Sequence, residues 1–195
     1  MLVIIVLILV SYVIGSVPTG YLLGKLRGVD VRIIGSGNVG ATNVARAVGK
    51  SQGVITLMAD AAKGYLPVLA ALQLGQDSLT IALTAIAAFL GHLYPLFLKF
   101  QGGKGVATGF GALLALAPMA ALGLVVVFAL VAGATRIVSL GSLATAVAAP
   151  LSLWLFHQPP VIVGMGFFLG AMVVIRHRGN IQRLLAGTEP RFGSD

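Results

Sequence analysis

Residues 105–134 read GVATGFGALLALAPMAALGLVVVFALVAGA, a run of 30 residues without a charged side chain. As one continuous helix this run would measure about 45 Å, whereas the hydrocarbon core of a bilayer is about 30 Å thick. A turn at Pro118 would instead give two shorter helices, 105–117 and 118–134, and would return the chain to the side from which it came. The choice between one span and two therefore sets the topology of the chain.

The composition is that of a polytopic membrane protein. Of the 195 residues, 58% are hydrophobic and 9% are charged, and the mean hydropathy is +1.02. A soluble globular domain would carry about 25% charged residues, so this class is excluded, together with disordered chains, coiled coils and ordinary nucleic-acid-binding proteins. Long unbroken apolar runs disfavour an outer-membrane barrel, whose strands alternate in polarity. The absence of cysteine excludes disulfides, thiolate metal sites and a cysteine nucleophile.

Seven apolar stretches are separated by connections of two kinds. Connections 24–52, 99–104, 135–137 and 176–195 are basic, whereas those near residues 75–78, 118 and 157–160 contain no Lys or Arg. Because Lys and Arg mark the cytoplasmic side, a turn at Pro118 places every basic connection in the cytoplasm. The sequence thus predicts one all-α domain over 1–195, with the N-terminus outside and the C-terminus in the cytoplasm. The predicted spans are 2–22 (retained, not a signal peptide), 53–73, 79–98, 105–117, 118–134, 138–156 and 160–175.

A glycine-rich segment, 34–46, follows the first span and reads IGSGNVGATNVAR. Glycines allow backbone N–H groups to curve around a phosphate, and Thr42 or Asn43 could cap the short helix that follows. A flexible loop is the alternative, but five basic residues between Lys25 and Lys50, against one acid, favour phosphate binding. The residues predicted to bind phosphate are Ser36, Gly37, Asn38, Gly40, Thr42, Asn43 and Arg46.

A second cluster joins the third and fourth predicted spans. The turn Gly102-Gly103-Lys104-Gly105 opens the fourth span, which predicts backbone donors and an ammonium group at a helix N-terminus. The turn is not a Walker A loop, because Gly105 stands where that motif requires Ser or Thr. A lysine that only sets topology is the usual alternative for Lys104. His92 could be a structural hydrogen-bonding residue or part of the site.

Two further clusters lie in the second half of the chain. Ser139 and Ser142 fall in the first turn of the sixth span; N-capping explains Ser139, and a ligand contact is more plausible for Ser142. His177 and Asn180 are three residues apart and share a helix face in a basic juxtamembrane segment that could also lie on anionic lipid.

Asp60 and Lys63 stand inside the second span. Charges in a hydrophobic span are costly and usually paired or functional. Their i, i+3 spacing predicts an ion pair near the cytoplasmic end. We interpret Asp60, Lys63 and His92 as structural support for a site.

Several catalytic classes are excluded by what the chain lacks. Five acids, three of them near the chain end or in an outer connection, cannot build a two-metal carboxylate site, so no metal or cofactor is expected. No HExxH motif occurs, and no histidine is followed by Asp at the fifth position. The chemistry must therefore use a good leaving group and electrostatic stabilisation.

Together these motifs resemble the bacterial membrane glycerol-3-phosphate acyltransferases that use acyl phosphate as donor. The resemblance covers nearly the whole chain, and Gln101, where we would expect lysine, is a peripheral departure. The segments that carry it are Gly15 to Tyr21, Gly35 to Arg46, Asp60 to Gly64, Gly91 to Pro95, Gly102 to Thr108, Arg136 to Ser142 and His177 to Glu189.

The resemblance implies the first acylation of phospholipid synthesis, at the cytoplasmic face of the bacterial inner membrane. Its partners would be acyl phosphate, sn-glycerol 3-phosphate, membrane lipid and the enzyme that forms acyl phosphate. The loop 35–43 and Lys104 would hold the acyl-phosphate headgroup, with Gly102, Gly103 and Ser139 among the phosphate ligands. Arg46, Ser142, His177 and Asn180 would position glycerol phosphate, and Lys104, Asn180 or a loop N–H would stabilise the oxyanion.

The proton acceptor and the function class have alternatives. His177 is the obvious base, but a substrate phosphate, whose second pKa is about 6, is slightly preferred. A transporter of organophosphate or phosphate would use the same basic loops but would need a path to the outer face, where the connections are short and lack Lys and Arg. A non-catalytic scaffold would leave the clustered glycines and Lys104 unexplained.

Overall fold

The computed structural model describes residues 1–193, and the regular structure within that range is helical, which confirms the all-α prediction. A short 3-10 helix spans Leu96–Leu98. The α-helices are α1 (Leu2–Gly15), α2 (Thr19–Leu26), α3 (Ala41–Ala47), α4 (Lys50–Gln73), α5 (Ser78–Leu93), α6 (Val106–Leu116), α7 (Pro118–Thr135), α8 (Val138–Leu155), α9 (Pro160–Arg176) and α10 (Arg178–Leu185).

The helix is interrupted directly before Pro118, at the predicted position. Ala117 leaves the helical region with φ −142° and ψ 72°, and Pro118 occupies the first turn of α7, where its missing N–H costs nothing. Helix α6 has 11 residues and α7 has 18, so they measure about 16 and 27 Å along their axes. The long apolar run is therefore two helices.

The predicted first span, 2–22, lies within the segment Leu2–Leu26, which is long and apolar enough to cross a membrane, but this segment contains a break. Helix α1 ends at Gly15 and α2 begins at Thr19. Pro18 causes the break, because proline has no N–H to continue the helical ladder and disfavours helical backbone at the preceding residue, Val17.

Within residues 1–193, five segments are long and apolar enough to cross a membrane. Helices α9 and α10, bent by 60° relative to each other, form a sixth if they cross together, and α6 is shorter. Seven spans and the orientation of the termini remain predictions. The five segments are Leu2–Leu26, Lys50–Gln73, Ser78–Leu98, Pro118–Thr135 and Val138–Leu155.

The contacts divide the chain into two compact units, of which the first is Met1–Leu116. In this unit α1 packs on α5 and α4 packs on α6. Each pair meets through glycine: a Cβ at Gly15 would overlap the backbone of Ala88, and a Cβ at Gly64 would overlap that of Thr108. Backbone contact between α4 and α6 fixes the start of α6 relative to the charged residues of α4.

The second unit begins at Ala117. Helix α8 packs on both α7 and α9, and α10 packs on the end of α9. A Cβ at Gly170 would overlap the backbone of Ala146, and the Ser152 hydroxyl donates to the Ala120 carbonyl at 3.0 Å. Small residues thus let three helices approach closely, as is common between helices in membranes.

Candidate functional site

Within the glycine-rich segment, the loop 35–40 is held in its conformation by Asn43. The Asn43 side chain is 2% exposed; its Oδ1 accepts from the Ser36 N–H at 2.9 Å, and its Nδ2 donates to the carbonyls of Val31 and Ile34 at 2.9 and 3.1 Å. Gly35 and Gly37 have φ values of +61° and +67°, which favour glycine. One buried amide therefore ties the loop, at Ser36, to the backbone of Val31 and Ile34 directly before it.

The prediction that Thr42 or Asn43 caps α3 was wrong. Gly40 is the N-cap residue, and no side chain caps the helix. Asn43 lies in the first turn of α3 and is already engaged by the loop before it. The Asn38 side chain accepts from the Gly40 N–H at 2.7 Å, which tightens the entry into the helix. Ser36, Thr42 and Arg46 are exposed, so the outer side of the loop is open to an anion.

Not every cation near the loop is equally available. Arg32 donates to Asp30 through Nε and Nη2 at 2.9 and 2.7 Å and lies 4.6 Å from the centre of the Tyr21 ring. The hydrogen bonds from Arg32 hold the pKa of Asp30 well below its usual range. Asp30 therefore stays ionised and neutralises Arg32, whereas Arg46 is exposed one turn into α3.

The turn that carries Lys104 is attached to the end of α5. The N–H groups of Gly102 and Gly103 donate to the carbonyls of Leu93 and His92, both at 3.1 Å. Gly105 has a φ of +86°, its carbonyl accepts from Gly109, and α6 begins at Val106. Lys104 is partly exposed directly before a helix N-terminus, where the sequence predicted it.

Asp60, Lys63 and His92 form a buried charged cluster, with 3, 6 and 6% exposure. The predicted ion pair is confirmed: Lys63 Nζ lies 2.8 Å from Asp60 Oδ1. His92 Nδ1 lies 3.7 Å from the same oxygen, and Lys63 also donates to the Val17 carbonyl at 3.0 Å. The three side chains line a small cleft beside the break between α1 and α2.

In the second unit, Glu189 binds two predicted site residues, Ser139 and Asn180, and the basic residue Arg183. It accepts hydrogen bonds from Ser139 Oγ at 2.6 Å, Asn180 Nδ2 at 2.5 Å and Arg183 Nε at 2.7 Å. Capping by Ser139 was therefore the wrong explanation, since Ile137 is the N-cap residue of α8 and the Ser139 hydroxyl is engaged by Glu189. Partial burial raises the pKa of Glu189, but these three donors outweigh it and leave the pKa below its ordinary value.

Ser142 and His177 are both buried and bonded to their own helices. The Ser142 hydroxyl donates to the Val138 carbonyl at 3.0 Å. His177 Nδ1 lies 2.8 Å from the Val173 carbonyl, a pairing that requires a proton on Nδ1. In a neutral imidazole the other nitrogen, Nε2, then carries the lone pair.

Two contacts of the candidate site were not predicted from the sequence. Glu189 lies 50 residues from Ser139, and its only sequence signal is that it is an acid in a basic tail. The Val17 carbonyl becomes available to Lys63 because Pro18 interrupts the helix at that point. The proline is visible in the sequence and could have indicated this break. Among residues 1–193, no three His, Cys, Asp or Glu side chains converge as metal ligands would.

Comparison with known proteins agrees with this picture. The family model described as glycerol-3-phosphate acyltransferase matches residues 5–187. The glycerol-3-phosphate acyltransferase of Geobacter metallireducens is 50% identical over 192 residues, covering 98% of this chain and 99% of the relative.

Two solved structures of PlsY (YgiH), an integral membrane glycerol 3-phosphate acyltransferase, are also similar. Its glycerol 3-phosphate form matches with a TM-score of 0.95 at 43% identity, covering 97% of this chain and 96% of that one. Its lysophosphatidic acid form matches with a TM-score of 0.92 at 42% identity, covering 97% and 95%. This chain belongs to the glycerol-3-phosphate acyltransferase family and is an integral membrane protein of phospholipid biosynthesis.

Proposed function

We propose that the protein transfers an acyl group from acyl phosphate to the 1-hydroxyl of sn-glycerol 3-phosphate. The products are 1-acyl-sn-glycerol 3-phosphate (lysophosphatidic acid) and inorganic phosphate. The observation that carries this proposal is the close likeness, over nearly the full chain, to an acyltransferase solved in glycerol 3-phosphate and lysophosphatidic acid forms. The acyl-phosphate donor is supported by the chemistry that the residues permit.

An acyl phosphate is an activated donor, because phosphate is a good leaving group. The acceptor oxygen attacks the acyl carbon, the bond from that carbon to the phosphate oxygen breaks, and the hydroxyl proton leaves with a base. Such a reaction needs positioning and charge stabilisation more than a metal or a strong base. The reaction therefore suits a chain whose candidate site consists mainly of glycine-rich turns, Lys and Arg side chains, and hydroxyl or amide hydrogen-bond donors.

We assign donor binding to groups of the first unit. The N–H groups of Ser36, Gly37 and Gly40 donate to Asn43 Oδ1, the Ile34 carbonyl and Asn38 Oδ1, and these bonds hold the loop in shape. The exposed Ser36 hydroxyl is the donor that the loop offers to a phosphate. Thr42 is exposed beside it, and Arg46, which is also exposed, is assigned to glycerol phosphate. Gly102 and Gly103 fix the turn that places the Lys104 ammonium before α6, where cation and helix dipole both favour a phosphate.

Acceptor binding is assigned to the polar residues of the second unit. Asn180 and Ser139 are held by Glu189, and Ser142 lies one turn beyond Ser139 on α8. His177 is the N-cap residue of α10, one turn before Ile181. Its ring is oriented by the hydrogen bond from Nδ1 to the Val173 carbonyl. Hydrogen bonds from such groups orient glycerol phosphate so that its 1-hydroxyl, rather than its phosphate, meets the acyl carbon.

The proposed setting is the bacterial inner membrane, with the reacting groups at the cytoplasmic side. Seven spans, an outer N-terminus and a cytoplasmic C-terminus would place all four basic connections on that side. Acyl phosphate would come from an enzyme of the same pathway, and its acyl chain would remain in the lipid while glycerol phosphate arrives from water.

The test is phosphate release by purified protein from acyl phosphate and glycerol 3-phosphate, with acyl-CoA as the comparison donor. We expect turnover with acyl phosphate and lysophosphatidic acid as the lipid product. Lys104→Met should reduce kcat/KM by about 100-fold, the loss typical of one preorganised donor. Lys99→Met removes an exposed lysine five residues earlier and is the matched control. Turnover with acyl-CoA alone would contradict the proposed donor.

A further inference from the structure

We propose that the buried cluster of Asp60, Lys63 and His92 positions the turn 102–105, and through it Lys104, for the transfer. The inference rests on the proposed function, because it treats Lys104 as a residue that contacts the donor. The three cluster residues are positioning residues: they act on Lys104 through the backbone of the turn.

The turn is held from the α5 side by His92. The carbonyl of His92 accepts from the Gly103 N–H at 3.1 Å, and the neighbouring Leu93 carbonyl accepts from Gly102. The imidazole lies against the same glycine, since a Cβ at Gly103 would overlap the His92 ring. Main chain and side chain of one residue thus contact the residue directly before Lys104.

The imidazole in turn lies beside a carboxylate on another helix. His92 Nδ1 lies 3.7 Å from Asp60 Oδ1, and both side chains are at most 6% exposed. In such a weakly solvated place the attraction between a carboxylate and a ring N–H is much stronger than in water. A change at Asp60 is therefore transmitted to His92 and to the turn.

Lys63 holds that carboxylate in place. Its ammonium lies 2.8 Å from Asp60 Oδ1 and 3.0 Å from the Val17 carbonyl, so it ties α4 to the break between α1 and α2. The turn is also held from its other side, because α6 meets α4 through Gly64 and Gly111 without room for a side chain. The position of Lys104 is therefore set by contacts among four helices, α1, α4, α5 and α6.

A buried ion pair alone is not evidence for this role, because such pairs add little stability on balance. Asp60 and Lys63 would neutralise one another wherever they stood in α4. What requires a further explanation is that the same carboxylate oxygen faces His92, whose backbone and ring both contact the lysine-bearing turn.

The test measures Lys104 directly, by its rate of modification with an amine-reactive anhydride, read by mass spectrometry without substrate. Exposed Lys25 and Lys99 are reference sites on the same chain. In Asp60→Asn we expect the Lys104 rate to change severalfold while both reference rates stay constant. Asp60→Glu should restore part of the wild-type rate, and Lys50→Gln, an exposed lysine of the same helix, should leave it unchanged. An unchanged Lys104 rate in folded Asp60→Asn would overturn the proposal.

Asp60→Asn leaves Lys63 buried beside a neutral side chain and could unfold the protein. The double variant Asp60→Leu/Lys63→Met removes both charges, a replacement that is often neutral for stability. If the cluster positions the turn, this variant melts like the wild type but keeps an altered Lys104 rate and a lowered kcat. If the cluster only stabilises the fold, recovery of the melting temperature brings back both values.

Kinetic non-additivity separates this inference from the proposed function. Misplacement of a reacting group by about 1 Å can cost about 100-fold in rate, so Asp60→Asn should lower kcat/KM by up to that factor. With Lys104→Met already present, Asp60→Asn should add almost nothing, because there is no ammonium left to misplace. Equal factors in both backgrounds would overturn the positioning role. Absence of all acyl transfer, with the labelling change intact, would instead overturn the proposed function.

Discussion

His177 is oriented through one ring nitrogen, and this defines what its other nitrogen can do. Nδ1 donates to the Val173 carbonyl, so a neutral ring carries its lone pair on Nε2. That tautomer suits a base, but it suits equally a residue that orients glycerol phosphate. We favour orientation, with a substrate phosphate oxygen as proton acceptor, because that oxygen is already in the site and its pKa is near neutrality.

The His177→Gln variant distinguishes the two roles. If a phosphate accepts the proton, kcat should fall by no more than about tenfold, KM for glycerol phosphate should rise, and the acid limb of the pH–rate profile should persist. The measurement is a steady-state pH profile for each substrate. His157→Gln, which changes an exposed histidine between α8 and α9, is the control. A fall of 100-fold or more in kcat, with KM unchanged and the acid limb gone, would identify His177 as the base.

Local spacing predicted some contacts and failed on others for a physical reason. Asp60 and Lys63 pair as expected, since an i, i+3 spacing on a helix brings two side chains together whatever surrounds them. Asn43 and Ser139 have the residue types of helix caps, yet each is engaged by a partner elsewhere in the chain. Their partners, a preceding loop and a glutamate 50 residues away, follow from the folded chain and not from local sequence.

At the scale of an element, the segment after α10 is folded back by Glu189. Thr188 donates to the Arg183 carbonyl, and Phe192 donates to the Arg136 carbonyl, both at 2.8 Å. The Glu189 side chain is 7% exposed and holds Ser139 and Asn180 from two different helices. This segment therefore determines how two predicted site residues are presented.

Acidification should release this segment. Because the folded pKa of Glu189 lies below its ordinary value of 4.5, the ionised form stabilises the fold fully above that value, and the contribution is lost as pH falls through the lower folded pKa. We expect the free energy of unfolding of the wild type to exceed that of Glu189→Gln by about 1 kcal/mol at neutral pH. The difference is this small because the Arg183 partner is partly solvated. Thermal melting of detergent-solubilised protein between neutral pH and pH about 3 measures the difference.

The difference between the two melting curves should stay constant down to the ordinary glutamate pKa and shrink below it. Asp30→Asn tests whether any loss of a paired acid gives the same result, since Asp30 also has a lowered pKa but lies in an exposed loop. A Glu189→Gln variant that melts like the wild type at neutral pH would show that the three hydrogen bonds do not hold the segment.

The helices themselves were largely predictable, because an apolar run long enough to cross a bilayer has few alternatives to a helix. Helix α4 begins at Lys50 and ends at Gln73, close to the expected 53–73, and α8 covers 138–155. The break before Thr19 was missed because hydropathy continues across it, although Pro18 marked the position. Hydropathy reports burial in lipid, and it is insensitive to where the backbone bends.

At the scale of the whole molecule, the break at Ala117 decides how many times the chain crosses the membrane, and the two possible numbers can be distinguished by experiment. If α6, about 16 Å long, and α7 each count as a crossing, Arg136 returns to the side of the loop 24–52; if the two together make one, it does not. The positive-inside rule favours the first case, because it puts every basic connection in the cytoplasm. A short α6 would then need a thinned bilayer or protein neighbours at its outer end.

Single cysteines provide the measurement, because the chain has none of its own. We expect Thr42→Cys, Gln101→Cys, Arg136→Cys and Gln182→Cys to resist a membrane-impermeant maleimide in spheroplasts and to react after permeabilisation. Gln76→Cys and His157→Cys, in connections without Lys or Arg, should react in intact spheroplasts. Reaction of Arg136→Cys and Gln182→Cys from outside, with Thr42→Cys and Gln101→Cys still protected, would mean that α6 and α7 make a single crossing. The polar groups of α8 and α10 would then open to the opposite side from the glycine-rich loop, and the proposed acyl transfer could not take place.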